Sequence, residues 1–103
     1  EREKIHLAAV FACNFSNHMY TIANNILKKT NVDFSILMPL IKQNISKIKN
    51  NNPLTLQTGP AKRKDFKVIE KHIQQINDNQ IKKIYKLITQ SIIDADQKIQ
   101  SNE

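Results

Sequence analysis

Glycine is nearly absent from this chain, whose 103 residues include one glycine, three prolines and no tryptophan. A β-sandwich needs many tight turns, which depend on glycine and proline, so this composition excludes that class. The single cysteine, Cys13, excludes an internal disulfide. The three histidines have no supporting ligand spacing, so no metal site is expected. No apolar run approaches the ~20 residues of a membrane-spanning helix, so no membrane partner is expected either.

Positive charge is in excess, with 16 lysines and arginines against 9 acidic residues and a net charge of +7. Such a balance is compatible with nucleic-acid binding. However, the lysines are spread over the whole chain, and lysine, isoleucine and asparagine are all frequent, which fits a compositional bias of the source genome. We therefore expect no nucleic-acid partner and keep a basic nucleic-acid-binding module as an alternative.

Apolar residues recur three and four positions apart in four stretches, which predicts an all-α helical bundle with a long first helix. The first helix is expected over about residues 3–29, with its first half deeply buried. A second helix, capped by Asp33, is expected over about residues 34–49, and Pro39 favours a bend or a late start in it. An aperiodic loop at about residues 50–64 should precede a third helix, capped by Asp65, at 66–77 and a fourth at 79–100. The residues expected to face inward are Phe66, Ile69, Ile73 and Ile76 in the third helix, and Ile81, Ile84, Ile88, Ile92, Ala95 and Ile99 in the fourth.

A polar stripe lies within the apolar first helix. Its members, spaced at i, i+3, i+4 and i+7, are Asn14, Asn17, His18 and Thr21. That spacing places them on one helical face. Polar side chains inside an apolar helix are costly unless they are hydrogen-bonded, so one interpretation is a binding face for a polar substrate, with His18 as a proton donor or acceptor. The alternative is an ordinary solvated flank.

Residues 56–65 hold the only glycine, Gly59, followed by Pro60. Glycine lets a ligand approach the main chain, and proline fixes the direction in which the chain leaves. Three consecutive cations at residues 62–64 then precede Asp65. Cations beside free helix amides form an anion site, but a capping carboxylate would occupy those amides. The segment is therefore either one wall of a binding site or a turn whose Arg63 pairs with Asp65 or a neighbouring helix.

Three stretches together carry a family resemblance: residues 5–15 (IHLAAVFACNF), 57–65 (QTGPAKRKD) and 68–72 (VIEKH). They resemble the C-terminal helical domain of a family of candidate NAD(P)-dependent oxidoreductases that pairs an N-terminal Rossmann domain with a C-terminal domain of unknown function. That family is similar to pyrroline-5-carboxylate reductases, ketopantoate reductases and 6-phosphogluconate-dehydrogenase-like enzymes. The resemblance covers nearly the whole chain. Family members carry glycine between the arginine and the aspartate of the second stretch, where this chain has Lys64.

The resemblance implies a 6-phosphogluconate dehydrogenase C-terminal-like fold, as a single domain over residues 1–103. The chain starts without methionine and is expected to be a piece of a longer protein that lacks its Rossmann domain. The resemblance further implies that the parent is a cytoplasmic NAD(P)-dependent oxidoreductase, with NADP or NAD bound mainly by the absent domain. This chain alone is then expected to bind no cofactor and to have no activity. Its expected partners are a second copy, in a homodimer, and a small-molecule substrate. The alternatives are the nucleic-acid-binding module and a purely structural helical dimer.

The resemblance also assigns candidate site residues. By position on the first helix, Asn14 and His18 are the candidates for catalysis. The segment ending at Asp65 would form the opposite wall of an interdomain site, with Arg63 as the partner of an anionic substrate group. For His72, a hydrogen-bonded structural role is the main alternative. The expected substrate-binding residues are Asn17, Thr58, Gly59, Pro60, Arg63, Asp65 and His72.

Overall fold

The structure is a computed structural model that describes residues 1–101. Every regular element in that range is a helix, which confirms the all-α fold class. Contacts within the chain divide it into two compact units, Glu1–Lys49 and Asn50–Glu103, and each unit is described by itself. The single domain expected over residues 1–103 stays a prediction.

The first unit begins with one continuous helical run. It consists of α1 (Arg2–Ala9), a π-helical turn (Val10–Phe15, the π segment) and α2 (Ser16–Leu27). Val10 and Ser16, at the two junctions, both have right-handed helical dihedral angles, so the helix does not break. The run contains no glycine or proline, which favours its length. Beyond its end, the Thr30 N–H and hydroxyl both donate to the Leu27 carbonyl oxygen, at 2.9 and 2.7 Å, and so satisfy one of the last carbonyls of the helix.

The second part of this unit consists of a 3-10 turn (Phe34–Leu37) and α3 (Met38–Ile48). The Asp33 carboxylate accepts a hydrogen bond from the Ser35 N–H at 3.0 Å, which confirms the predicted cap. Pro39 lies in the first turn of α3, where its missing N–H is not needed, so the predicted late start is also confirmed. The Tyr20 and Phe34 rings pack edge to face, with centroids 6.4 Å apart, and join the turn to α2.

The second unit consists of a 3-10 turn (Pro53–Leu56), α4 (Pro60–Arg63), α5 (Phe66–Gln75) and α6 (Asn79–Ser101). The Asp65 carboxylate caps α5 as predicted, because it accepts from the Val68 N–H at 3.3 Å. Asp78 caps α6 by accepting from two N–H groups at 2.8 and 3.0 Å. The prediction of an aperiodic loop at 50–64 is wrong, since the 3-10 turn and α4 lie within it. Neither element is long enough to produce an apolar period.

The core of the second unit forms where α4 and α5 pack against α6. Its buried apolar residues are Ala61 on α4, Ile69 on α5 and Ile93 on α6. A charged residue, Asp96, is buried with them. The inward prediction for Ile88 is wrong, because Ile93 and Asp96 define the buried face of α6 and Ile88 is 44% exposed.

Two further burial predictions are wrong. Phe66 is 61% exposed, because it is the first residue of α5 and helical side chains point toward the N-terminus, beyond the start of the helix. The first half of the long helix is not deeply buried, since Ile5 is 70% exposed and Phe11 is 62% exposed. A unit built from so few elements cannot cover a helix that is apolar nearly all round.

Candidate functional site

The polar stripe of the first unit spans the π segment and α2. Asn14 lies in the π segment, Asn17 and His18 lie in the first turn of α2, and all are exposed. The Thr21 hydroxyl donates to the Asn17 carbonyl oxygen at 3.3 Å, a local bond common for threonine in helices. π-helical turns occur frequently at functional sites. The exposure leaves Asn14 and His18 accessible to a ligand, and it equally fits the solvated flank that the sequence left open.

Gly59, the N-cap residue before α4, has φ +97° and ψ 173°, a conformation that residues with a side chain rarely adopt. A Cβ placed on Gly59 would meet no atom within 4 Å. Glycine is therefore required here by its backbone angle and not by a crowded neighbour. The space beside the main chain is open at the position where the sequence predicts the approach of a ligand.

α4 ends in a Schellman motif. The Asp65 N–H donates to the Pro60 carbonyl oxygen at 2.9 Å, and the Lys64 N–H donates to the Ala61 carbonyl oxygen at 3.1 Å. Lys64 occupies the turning position with φ +55°, and within residues 1–101 it is the only non-glycine residue with positive φ. Glycine is the usual residue at this position, because a side chain there costs roughly 1–2 kcal/mol.

The three adjacent cations at residues 62–64 have different surroundings. The Lys62 ammonium forms an ion pair with the carboxylate of Asp96 on α6. Lys64 forms the left-handed turn. Arg63 is exposed and has no ion pair within residues 1–101, so its predicted alternative partner, Asp65, does not hold it there. Of these cations, Arg63 is the one whose guanidinium combines exposure with the planar geometry that matches a carboxylate or phosphate.

The start of α5 is not an open anion site. Its capping residue, Asp65, is half-buried and already accepts a hydrogen bond from the Val68 N–H. The carboxylate therefore occupies one of the amides that would otherwise attract an anion, and its own negative charge opposes anion binding there. This leaves the Arg63 side chain, and not the helix terminus, as the candidate anion-binding group of the segment.

The sequence-based predictions missed Asp96. It is 6% exposed, and its second carboxylate oxygen accepts from the Gln100 side-chain N–H at 3.2 Å. A buried carboxylate is costly unless it is paired and hydrogen-bonded, which explains why Lys62 reaches it from α4. The available signal was its spacing, because Asp96 lies three residues from both Ile93 and Ile99 in an otherwise apolar pattern.

His72 forms an interaction within the second unit. Its Nδ1 and the Tyr85 hydroxyl oxygen on α6 share a hydrogen bond at 2.8 Å, and the two rings meet edge to face. Burial raises the pKa of the Tyr85 hydroxyl above its usual value. The contact ties α5 to α6, as expected of a structural histidine. The substrate-binding role of His72 stays a prediction.

The structure groups the candidate residues by unit. Five lie in one continuous segment of the second unit: Thr58, Gly59, Pro60, Arg63 and Asp65. Three lie on the helical run of the first unit: Asn14, Asn17 and His18. Their catalytic and substrate-binding roles stay predictions.

Within residues 1–101, no group of three histidine, cysteine, aspartate or glutamate side chains is arranged to hold a metal ion. None of the helices in that part of the chain combines the length and the apolar character needed to cross a membrane.

A profile of the family described as Domain of unknown function (DUF2520) matches residues 1–92. This chain belongs to that family. The matched part of the DUF2520 chain contains every candidate site residue and ends four residues before Asp96. The resemblance proposed from residues 5–15, 57–65 and 68–72 is thereby confirmed.

The DUF2520 chain is also similar to a solved structure. The crystal structure of a candidate NADP oxidoreductase from Bacteroides fragilis superposes with a TM-score of 0.86 and 44% sequence identity over 90% of this chain. This chain spans 36% of the length of that protein chain. A search of curated proteins finds no match.

Proposed function

We propose that this chain is the substrate-binding and dimerising domain of an NAD(P)-dependent oxidoreductase. The observation that carries the proposal is the similarity, at 44% identity, to a chain described as a candidate NADP oxidoreductase. Because this chain spans 36% of that protein, most of the parent enzyme lies outside the compared region. NADP or NAD is bound mainly by a separate Rossmann domain of the parent, which acts in the cytoplasm. Low glycine content supports this division, since one glycine cannot form a glycine-rich phosphate-binding turn.

Arg63 binds an anionic group of the substrate in this proposal. Its exposed side chain and its lack of an ion pair within residues 1–101 support the assignment. Charge-assisted hydrogen bonds from arginine to carboxylate or phosphate are short and frequently bidentate, so they fix both position and orientation. The open main chain at Gly59, four residues earlier, supports close approach of the same ligand.

Asn14 and His18 carry the polar chemistry of the first unit in this proposal. Both side chains are exposed, one at the end of the π segment and one in the following turn. An imidazole can donate or accept a proton near neutral pH, which suits the proton transfer that accompanies hydride transfer to a carbonyl or an imine. Asn14 provides an amide donor and acceptor that can orient the same group.

The dimerising role is supported by the apolar surface of the first unit. Ile5, Leu7, Phe11 and Phe15 are between 48% and 70% exposed. The Phe11 and Phe15 rings pack edge to face with centroids 5.0 Å apart, so together they form one exposed aromatic surface. Large exposed apolar patches mark interaction sites, and aromatic residues are frequent anchors of interfaces. This patch is the surface that a second copy covers.

The test uses the full-length protein that contains this domain. Loss of NADPH or NADH absorbance is followed with a panel of small carbonyl and imine compounds, each with and without a carboxylate or phosphate group. We expect turnover with at least one anionic compound by the full-length protein and none by the 103-residue chain alone. Turnover by the isolated chain, or no nicotinamide binding by the full-length protein, would refute the proposal.

A further inference from the structure

The second unit contains a cavity of about 130 Å³ between its 3-10 turn, α4 and α6. Liquid water occupies roughly 30 Å³ per molecule, so the cavity has room for a group of only a few non-hydrogen atoms. Complete sites for drug-sized ligands are larger, roughly 300 to 1,000 Å³. The cavity therefore suits one end of a ligand. Its lining residues are Leu54, Gln57, Lys62, Ser91, Ile92, Ala95 and Asp96.

The polar part of the cavity lining contains the Lys62–Asp96 ion pair, which has no net charge. Asp96 is 6% exposed, and it accepts from the Lys62 ammonium and from Gln100. The Lys62 side chain is 40% exposed, and only one of its three N–H donors is engaged within residues 1–101. The buried carboxylate thus holds Lys62 at the cavity and leaves donors for a second acceptor.

The pair selects against charged groups. A ligand anion at Lys62 would lie beside the Asp96 carboxylate, and a ligand cation at Asp96 would lie beside the Lys62 ammonium. Either placement adds like-charge repulsion to the cost of removing a charge from water. An uncharged acceptor avoids both penalties and still accepts a charge-assisted hydrogen bond from Lys62.

Gln57 and Ser91, the other polar residues of the lining, add hydrogen-bond acceptors to the cavity. The Gln57 side-chain N–H₂ donates to the Thr58 carbonyl oxygen at 3.1 Å, which leaves its own carbonyl oxygen to accept. Ser91, also on the lining, has a hydroxyl that can donate or accept. The apolar part of the lining consists of Leu54, Ile92 and Ala95. A group with one carbonyl acceptor, one N–H donor and a small apolar stem matches this arrangement.

We propose that this cavity binds the uncharged carboxamide end of a small ligand, with Lys62 donating to the amide carbonyl oxygen. Asp96 is the positioning residue, because it holds the Lys62 ammonium at the cavity. This site is separate from the anion-binding site proposed at Arg63, because Arg63 does not line the cavity. The inference also stands independently of the oxidoreductase proposal.

The test is a titration of the isotopically labelled 103-residue chain with three probes of similar size, acetamide, acetate and methylammonium, followed by amide NMR shifts. We expect saturable shifts at Gln57, Lys62 and Ser91 with acetamide. Binding of the two charged probes should be at least roughly fivefold weaker, because each places a like charge beside one member of the Lys62–Asp96 pair. Stronger binding of acetate would reassign the cavity as an anion site and overturn the proposal. Absence of saturable shifts with acetamide would show a hydrated crevice and would also overturn it.

Three substitutions test whether acetamide binds in this cavity. Ala95→Leu should fill the cavity and abolish the acetamide shifts. Gln97→Leu places the same side chain on an exposed position of α6 outside the lining and should leave them unchanged. Ser91→Ala keeps the Lys62–Asp96 pair and should weaken binding roughly fivefold. Equal binding of acetamide by Ala95→Leu and the unsubstituted chain would contradict the assignment.

Discussion

Lys64 is the only residue with a side chain, among those that the structure describes, whose φ is positive. Its φ of +55° lies in the left-handed region, at the position of a Schellman motif where glycine is usual. The sequence resemblance already singled out this position, because family members carry glycine there. It could not show that Lys64 would keep the glycine-like turn, since only the hydrogen bonds of the folded chain reveal that.

Replacing Lys64 with glycine should therefore stabilise the chain. We expect Lys64→Gly to raise the free energy of unfolding by about 0.5–1 kcal/mol, because the relief of backbone strain exceeds the entropy that glycine adds to the unfolded state. Urea unfolding followed by circular dichroism measures the change. Lys71→Gly, at an exposed interior position of α5, is the matched control and should destabilise by about 1 kcal/mol. Destabilisation by Lys64→Gly, or no change, would show that the turn carries no strain.

Ionisation of the Tyr85 hydroxyl makes the stability of the second unit depend on pH. Burial raises the pKa of its hydroxyl above the ordinary value of 10.0. Because the folded state holds this proton more tightly, the stabilisation is fully present below pH 10.0 and is lost as the pH rises through the higher folded value. The difference in phenolate absorbance between the parent chain and Tyr85→Phe should show an ionisation above pH 10.0. An ionisation below that pH would contradict the burial of this hydroxyl.

At the level of elements, the Lys62–Asp96 pair fastens the short helix α4 to α6. Lys62→Met leaves the buried Asp96 carboxylate without its cation, and we expect a loss of about 2 kcal/mol in the free energy of unfolding. Removing both charges in Lys62→Met/Asp96→Leu should recover most of that loss, since an apolar pair often replaces a buried ion pair without cost. Thermal or urea unfolding of the single and double variants measures both effects. Equal losses in the two variants would show that the pair is not coupled.

The helices were largely predictable, and their surroundings were not. Asp33 and Asp65 have the residue type and the position of helix caps, and both form the predicted bonds. The inward faces depend on which helices pack together, so the pattern placed Ile88 inside and missed Ile93. In the candidate site, the pattern singled out the cations at residues 62–64. It could not say which one would pair, because Asp96 is 34 residues away from Lys62 along the chain.

At the scale of the whole molecule, the apolar patch of the first unit predicts self-association. Phe11→Asp places a charge on the aromatic surface that Phe11 and Phe15 form. We expect it to weaken dimerisation by roughly 30-fold or more, as expected for an interface anchor. Sedimentation equilibrium over a concentration series measures the dissociation constant. Leu87→Asp, at a residue of the second unit that is 72% exposed, is the matched control and should leave association unchanged.

Association that persists in Phe11→Asp would contradict the proposed interface. If the unsubstituted chain stays monomeric over the whole concentration series, the proposed dimer is contradicted. Weakening by both aspartate variants alike would point to a general effect of added charge and not to the aromatic patch.

In the proposed function, Arg63 binds the anionic group of the substrate of an NAD(P)-dependent oxidoreductase. The most direct measurement is the KM of full-length Arg63→Met for the best anionic substrate, beside Lys86→Met, which removes an exposed cation of α6. We predict a KM raised roughly 10- to 100-fold by Arg63→Met, the effect of one charge-assisted hydrogen bond, and an unchanged KM for Lys86→Met. An unchanged KM in Arg63→Met, or an equal rise in both variants, would contradict the account.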